Sequence, residues 1–329
     1  MSDGEEFADQ ADPFRRELLT HCYRMLGSVH DAEDLVQETF LRAWRSYEDF
    51  DDRRGSMRTW LYRIATNACL TALEHSSRRL LPSGLGSPSD DPEGPVVNGR
   101  PEVRWLQPIP DALHGLEPGD PATIVASRDS VRLAFIVALQ HLAPRQRAVL
   151  VLRDVLAWRA AEVASLLGTT TAAVNSALQR ARAQLAEVAP VEDEVTEPAE
   201  PDRQELLKNY VTAFENADVT ALTRMLREDV VLEMPPYLTW FGGRDSVGAF
   251  LASRVLTARD TWRMVPVSAN GQSAFALYKR EHGDVHRAHS VQVLNLAGLN
   301  IAHIVTFQDP SLFVTFDLPR TQPVRALHA

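Results

Sequence analysis

Apolar residues recur at three- and four-residue intervals over 12–79 and again over 129–188, and strand-like runs appear only after about 230. Phe14, Leu18, Cys22 and Met25 mark a first helix over 12–27, with Gly27 as its stop. Ala32, Val36, Phe40, Ala43 and Tyr47 form the stripe of a second helix, opened by a Ser28-x-x-Asp31 capping box. Trp60, Leu61, Ile64, Ala65, Ala68, Cys69, Ala72 and Leu73 give one apolar face to a third helix from Met57 to Arg79, with Ser56 as N-cap. Together these three make a small all-α domain over 10–80. From Leu81 to about Ser127 the periodicity dissolves into nine prolines and clusters such as PSGLGSPSDDPEGP, so 81–128 reads as an extended acidic linker. Within it, Trp105-Leu106-Gln107-Pro108-Ile109-Pro110 is a short apolar knot suited to anchor the segment.

Helical spacing returns over 129–188. Val131, Phe135, Ala138, Leu139 and Leu142 mark one helix, and Pro144 opens another, PRQRAVLVLRDVLAW. Next come AAEVASLLG and, after a Gly168-Thr169-Thr170 turn, TAAVNSALQRARAQLAEV. Val174, Leu178, Ala181 and Leu185 face inward on the last helix, leaving Thr171, Asn175, Ser176, Gln179, Arg180 and Arg182 outward. Helix, tight turn, helix is the arrangement that sets a second helix into a DNA major groove. Residues 189–202 contain PVEDEVTEPAEPD, a second acidic linker. Over 203–329 one long helix (about 202–229) is followed by the strand VVLEMPP, the helix GRDSVGAFLASRV and four strand-like runs separated by glycine turns. That order predicts an α+β cone with a curled antiparallel sheet.

Net charge is −10, which taken alone argues against nucleic acid. Its distribution reverses the argument. Residues 1–52 hold 14 acids and 5 bases, whereas 53–79 hold six Arg and one acid, Glu74. Interleaved with those arginines are Trp60, Tyr62 and Asn67, the combination a single strand requires: guanidinium for phosphate, flat rings for unstacked bases, amide for base edges. An acidic chain with basic islands suits a factor delivered to DNA by a larger partner. Cys22 and Cys69 are the only cysteines and have no metal-ligand spacing. His286 and His289 point to opposite faces of a strand, so with His282 and Asp284 they make no metal set. No apolar run approaches the roughly 18 residues of a membrane span, and the acidic N-terminus is unlike a signal peptide, which predicts a cytoplasmic protein.

The stretches DAEDLVQETFLRAW and TWLYRIATN closely resemble region 2 of the sigma-70 family in its extracytoplasmic-function form, and Leu142–Leu185 resembles sigma region 4. The resemblance implies a multidomain transcription initiation factor. Asp34, Glu38, Arg42 and Arg45 would dock the β′ clamp of core RNA polymerase. Arg53, Arg54, Gly55 and Ser56 would receive a flipped −10 base, with Arg58, Trp60, Arg63 and Asn67 on the opened strand. Thr171, Asn175, Ser176, Gln179, Arg180 and Arg182 would read the −35 element of promoter DNA, with the β flap as a further partner. Region 4 departs from the family pattern at Trp158-Arg159-Ala160-Ala161 and at Asn175.

The segment MPPYLTWFGGRDSVGAFL and the element order after it resemble SnoaL-like cones, the fold of polyketide cyclases and ketosteroid isomerases. Such a cone would hold a small apolar ligand against Glu233, Met234, Tyr237, Trp240, Phe241, Trp262, His289 and Phe307. Asp229, Glu233 and His289 have no spacing that compels a reaction, so the cone is expected to be a regulatory domain acting in cis, non-catalytic and without a cofactor. Two rivals stand beside this reading. A ligand-responsive helix-turn-helix repressor leaves the docking helix unexplained, and a small-molecule isomerase or cyclase explains residues 203–329 alone.

Overall fold

The computed structural model describes residues 3–53, 55–74, 78–114, 129–188, 198–280 and 283–323. It divides into two compact units, Met1–Leu80 with Leu106–Pro190, and Leu81–Trp105 with Val191–Ala329.

The first unit is helical. α1 (Asp3–Ala11) precedes α2 (Arg15–Leu26), α3 (Val29–Arg45) and α4 (Met57–Glu74). Gly27 ends α2 in the left-handed conformation (φ 69°), and a Cβ there would stand 3.1 Å from Gln140 Nε2, so both backbone and packing ask for glycine. Ser28 Oγ accepts the Asp31 amide at 3.2 Å, as the capping pattern predicts. The Asp31 carboxylate also pairs with Arg79. Leu18, Cys22, Met25, Ala32, Leu61, Ala65 and Cys69 are fully buried where these helices meet.

α5 (Leu133–Gln140), α6 (Pro144–Leu150, continued as a π turn over Val151–Val155), α7 (Ala160–Leu167) and α8 (Thr171–Val188) complete this unit. The apolar knot anchors as predicted. Leu106 and Ile109 are buried, and the Gln107 backbone donates to Gly27 O (3.0 Å) and accepts from Tyr23 Oη (2.8 Å), while Ser28 Oγ donates to its side chain (2.6 Å).

His21 is fully buried in this core, hydrogen-bonded to Thr66 Oγ1 at 2.9 Å and packed on Tyr62. Burial first, then the charges of Arg24 and Arg58, pull its pKa down from 6.5 to about 3. The folded imidazole therefore stays neutral while the unfolded chain takes up a proton below pH 6.5, so stability falls as pH drops from 6.5 toward 3. At pH 5 the loss is about 2 kcal/mol. Denaturant unfolding of the helical unit at pH 7.5 and 5 should show this slope in the wild type and a flatter one in His21→Gln. Equal slopes would assign the acid sensitivity elsewhere.

The second unit carries the sheet. α9 (Glu200–Glu215) and α10 (Val219–Arg224) lead into β1 (Leu226–Glu233), β2 (Trp240–Gly242) and α11 (Arg244–Phe250). β3 (Trp262–Ala269), β4 (Gln272–Arg280), β5 (Val285–Ala297), β6 (Asn300–Phe307), α12 (Leu312–Thr315) and β7 (Thr321–Pro323) follow. The long helix expected over 202–229 is broken. Ala217 takes a positive φ of 54°, Asp218 caps α10 through the Ala221 amide, and residues 226–229 are already strand. The sheet order is β2-β1-β6-β5-β4-β3, with β7 on β5. It is mixed rather than purely antiparallel, since β1 and β6 run parallel. Across its interior, Tyr210 Oη donates to Gln292 Oε1 (2.7 Å) and Gln292 Nε2 to Thr306 Oγ1 (3.0 Å), satisfying three buried polar groups in one chain.

Residues 81–105 also belong to this unit, which differs from the free linker expected of so proline-rich a segment. Leu81 and Pro82 are buried, and the stretch lies along residues 235–242, which include β2, as a strap. Ser89 N donates to Trp240 O (2.8 Å), Trp240 Nε1 to Gly86 O (3.0 Å), Leu238 N to Val97 O (2.8 Å) and Gly99 N to Pro236 O (2.8 Å). Of the rest of the expected linker, residues 106–114 belong to the first unit and residues 115–128 lie outside the described residues.

Candidate polymerase-docking and nucleic-acid surfaces

α3 buries Val36, Phe40 and Ala43 and turns Asp34, Arg42 and Arg45 to solvent. Glu38 and Arg42 form the predicted i, i+4 pair at 2.7 Å, half-exposed on both sides. Leu41 (57% exposed) and Trp44 (42% exposed) stand on or beside the same face, an apolar contribution that the charge pattern hid. The signal was available: Leu41 lies seven residues from Asp34 and so on the charged side of the helix. A charged rim around exposed large apolar side chains is the composition of a protein-docking surface.

α4 begins where Ser56 Oγ accepts the Thr59 amide at 3.2 Å. Trp60, Arg63 and Asn67 fall on one stripe, with Arg63 and Asn67 exposed and Trp60 tilted against Phe50 at 5.0 Å. Arg53 and Gly55 lie in the loop before it, and Arg54 is outside the described residues. Arg58 departs from the expected role. Its Nε donates to both carboxylate oxygens of Glu17 (2.9 and 3.0 Å), and its guanidinium lies over the rings of Tyr62 and Trp158. A cation facing a carboxylate and two rings is satisfied inside the unit, so Arg58 is structural here.

α7, Gly168 (φ 61°) and α8 form the helix-turn-helix, with Thr170 Oγ1 accepting the Ala173 amide at 3.2 Å. Val174, Leu178 and Ala181 are buried, and Thr171, Asn175, Ser176, Gln179, Arg180 and Arg182 are all exposed, as the spacing predicts. Arg182 is already engaged: Nε and Nη2 donate to the two oxygens of Asp154 at 2.8 and 2.7 Å. A bidentate carboxylate neutralises the charge that phosphate binding would need, which leaves Arg180 as the more available cation on this helix.

The eight residues expected to line a cone pocket separate into two groups. Met234, Phe241 and Trp262 belong to the packed apolar cluster of this unit, with Phe241 stacked on Phe250 at 4.5 Å, Phe214 edge-on to Trp262 at 6.0 Å and Phe307 likewise buried. His289 packs edge-on against Trp262 at 4.9 Å. Glu233, Tyr237 and Trp240 instead receive the strap. Glu233, 1% exposed, accepts from Ser83 N (2.9 Å), Ser83 Oγ (3.1 Å) and His303 Nε2 (2.9 Å). Tyr237 bridges to Asn98, and Thr239 Oγ1 accepts the Val97 amide at 2.9 Å. An open groove of about 320 Å³ lies elsewhere in this unit, between α9 and α10, lined by Asn209, Asn216, Asp218 and Arg224. Among the described residues no group of three metal-ligating side chains assembles, and no helix is long and apolar enough to cross a membrane.

Three comparisons bear on these surfaces. Family models of sigma-70 region 2 and sigma-70 region 4 match residues 11–79 and 132–185. The ECF RNA polymerase sigma factor SigG of Mycobacterium tuberculosis is 52% identical over 316 residues, spanning 95% of this chain and 84% of that protein. The crystal structure of SigJ, an extracytoplasmic-function sigma factor of the same organism, matches with a TM-score of 0.59 at 22% identity, covering 93% of this chain and 98% of that one. The chain therefore belongs to the extracytoplasmic-function sigma factor family of RNA polymerase, with sigma regions 2 and 4 followed by an α+β domain built on a mixed sheet.

Proposed function

We propose that this sigma factor docks core RNA polymerase through Asp34, Glu38, Leu41, Arg42 and Arg45, handles the −10 strand with Gly55, Ser56, Trp60, Arg63 and Asn67, and reads −35 bases with Thr171, Asn175 and Gln179. Arg53 and Arg180 serve as phosphate contacts, and the place of action is the cytoplasm, where polymerase and promoter are found. The cone controls this activity in cis by holding the linker between regions 2 and 4. The observation that carries the control is the strap: residues 81–105 lie on the cone, pinned by Ser83 to the buried carboxylate of Glu233.

Distance gives the strap its meaning. A compact unit of roughly 165 residues is about 40 Å across. The −35 and −10 elements are separated by about 25 base pairs, or about 85 Å of duplex at 3.4 Å each. Regions 2 and 4 must part to reach both. Fully extended, the 48 residues of 81–128 reach about 160 Å, ample for the span, once residues 81–105 leave the cone and the knot at 106–109 leaves Gly27, Tyr23 and Ser28. Ligand sensing is not needed for this form of control, and the packed side chains at the expected pocket support it less than the strap does.

Run-off transcription by core polymerase from a library randomised at both elements tests the promoter reading. Transcripts should depend on the protein, and Asn175→Ala should alter the selected −35 consensus at one position, by about 1–3 kcal/mol of base discrimination. An unchanged consensus would remove Asn175 from the reading set.

A further inference from the structure

Among the described residues of the first unit, Arg24 and Arg147 are buried with no carboxylate among their partners. Arg24 on α2 donates to Ser130 O (3.2 Å) and Ser130 Oγ (2.6 Å). Arg147 on α6, 2% exposed, donates to Met25 O, to Gln140 Oε1 (2.9 Å), and to the carbonyls of Gln140 and Leu142 (3.3 Å each). An uncompensated buried guanidinium is strongly destabilising. Its compensation here comes from backbone. Met25 lies in the last turn of α2, and Gln140 and Leu142 lie at and just beyond the end of α5. Each helix C-terminus carries about half a negative charge in its last carbonyls, so two termini together offset about one positive charge.

Those two termini come from different halves of the sigma machinery. α2 belongs to region 2, whereas α5 and α6 belong to region 4. The full set of Arg147 partners exists only while the regions are together. The same seam holds buried donors with no hydrogen-bond partner among the described residues: Arg147 Nε, Gln140 Nε2 and Trp158 Nε1. Trp158, from the π-turn side of region 4, packs on Tyr62 of α4 at 5.2 Å. The seam is thus bridged by Arg147 and, through Ser130, by Arg24, and is incompletely satisfied around them, a combination that lets two halves close without fusing into one core.

We propose that Arg147 is the main latch between regions 2 and 4, its guanidinium bridging the C-terminal ends of α2 and α5, so that its loss shifts the balance from the closed toward the promoter-spanning form. The proposal rests on the reading that both regions must separate to engage DNA. Lysine would keep the charge but not the planar fork that meets several carbonyls at once.

Hydrogen exchange on the full chain tests it. In Arg147→Met, amides of 23–30 and 133–142 should exchange at least tenfold faster while the interior of α3 (residues 34–43) exchanges as in the wild type, with Arg147→Lys in between. Half-maximal transcription with core polymerase should then need less of the Met variant than of the wild type. Unchanged exchange at the seam would overturn the latch, and so would loss of protection in α3 along with it, because Arg147 would then belong to one indivisible core. If the seam opens selectively and neither protein supports transcription, the latch stands and the promoter reading fails.

Discussion

Asp34→Arg with Glu38→Arg should lower affinity for core polymerase at least a hundredfold, about 3 kcal/mol, with little change in thermal stability. Asp34 is exposed, and Glu38 is engaged with Arg42 alone, half-exposed at 2.7 Å. A surface pair of that kind contributes at most about 1 kcal/mol to folding. At an interface the same reversal sets two cations against the partner groups that met two anions, which costs several kcal/mol and slows encounter. Leu41 and Trp44 stay in place in the double variant, so any residual binding measures the apolar share of the docking face. Wild-type retention of core polymerase in a pull-down would move the docking surface off α3.

Glu233→Gln should free the strap. Glu233 accepts three hydrogen bonds, two of them from Ser83, and its charge strengthens each. Hydrogen bonds to a charged group contribute roughly 1.5–3 kcal/mol, so the Ser83 amide should exchange about ten- to a hundredfold faster. The neutral amide preserves volume and keeps one acceptor, which limits damage to β1 and β6. With the linker loosened, transcription at limiting protein should rise several-fold. Faster exchange without that rise would make the strap a packing feature of the cone and no more.

Much of this architecture is written locally. Gly27, Ser28, Ser56, Pro144 and Gly168 mark helix ends because capping and turn geometry depend on residues a few positions apart, and each sits where the pattern places it. The exposed face of α8 is legible for the same reason: a 3.6-residue period separates Val174, Leu178 and Ala181 from Asn175 and Gln179. Partnerships across the chain are not legible. Arg58 meets Glu17 and Arg182 meets Asp154, 41 and 28 residues away, so arginines that read as free for DNA prove to be paired. The strap is hidden more deeply. It binds mainly through backbone groups of Gly86, Val97 and Gly99, which leave no mark on hydrophobic periodicity, and its proline content suggests a chain that packs on nothing. The parallel pairing of β1 with β6 is likewise set by topology, since both strands read alike from either neighbour.

The most direct measurement compares the full chain with residues 1–202 in run-off transcription by core polymerase, on one promoter and at matched concentrations. Truncation leaves the helical unit whole and removes the surface that holds residues 81–105. The account predicts several-fold more transcript from 1–202 at limiting protein, with the two curves meeting at saturation. Equal yields at every concentration would contradict control by the cone, and transcription independent of either protein would contradict the sigma factor itself.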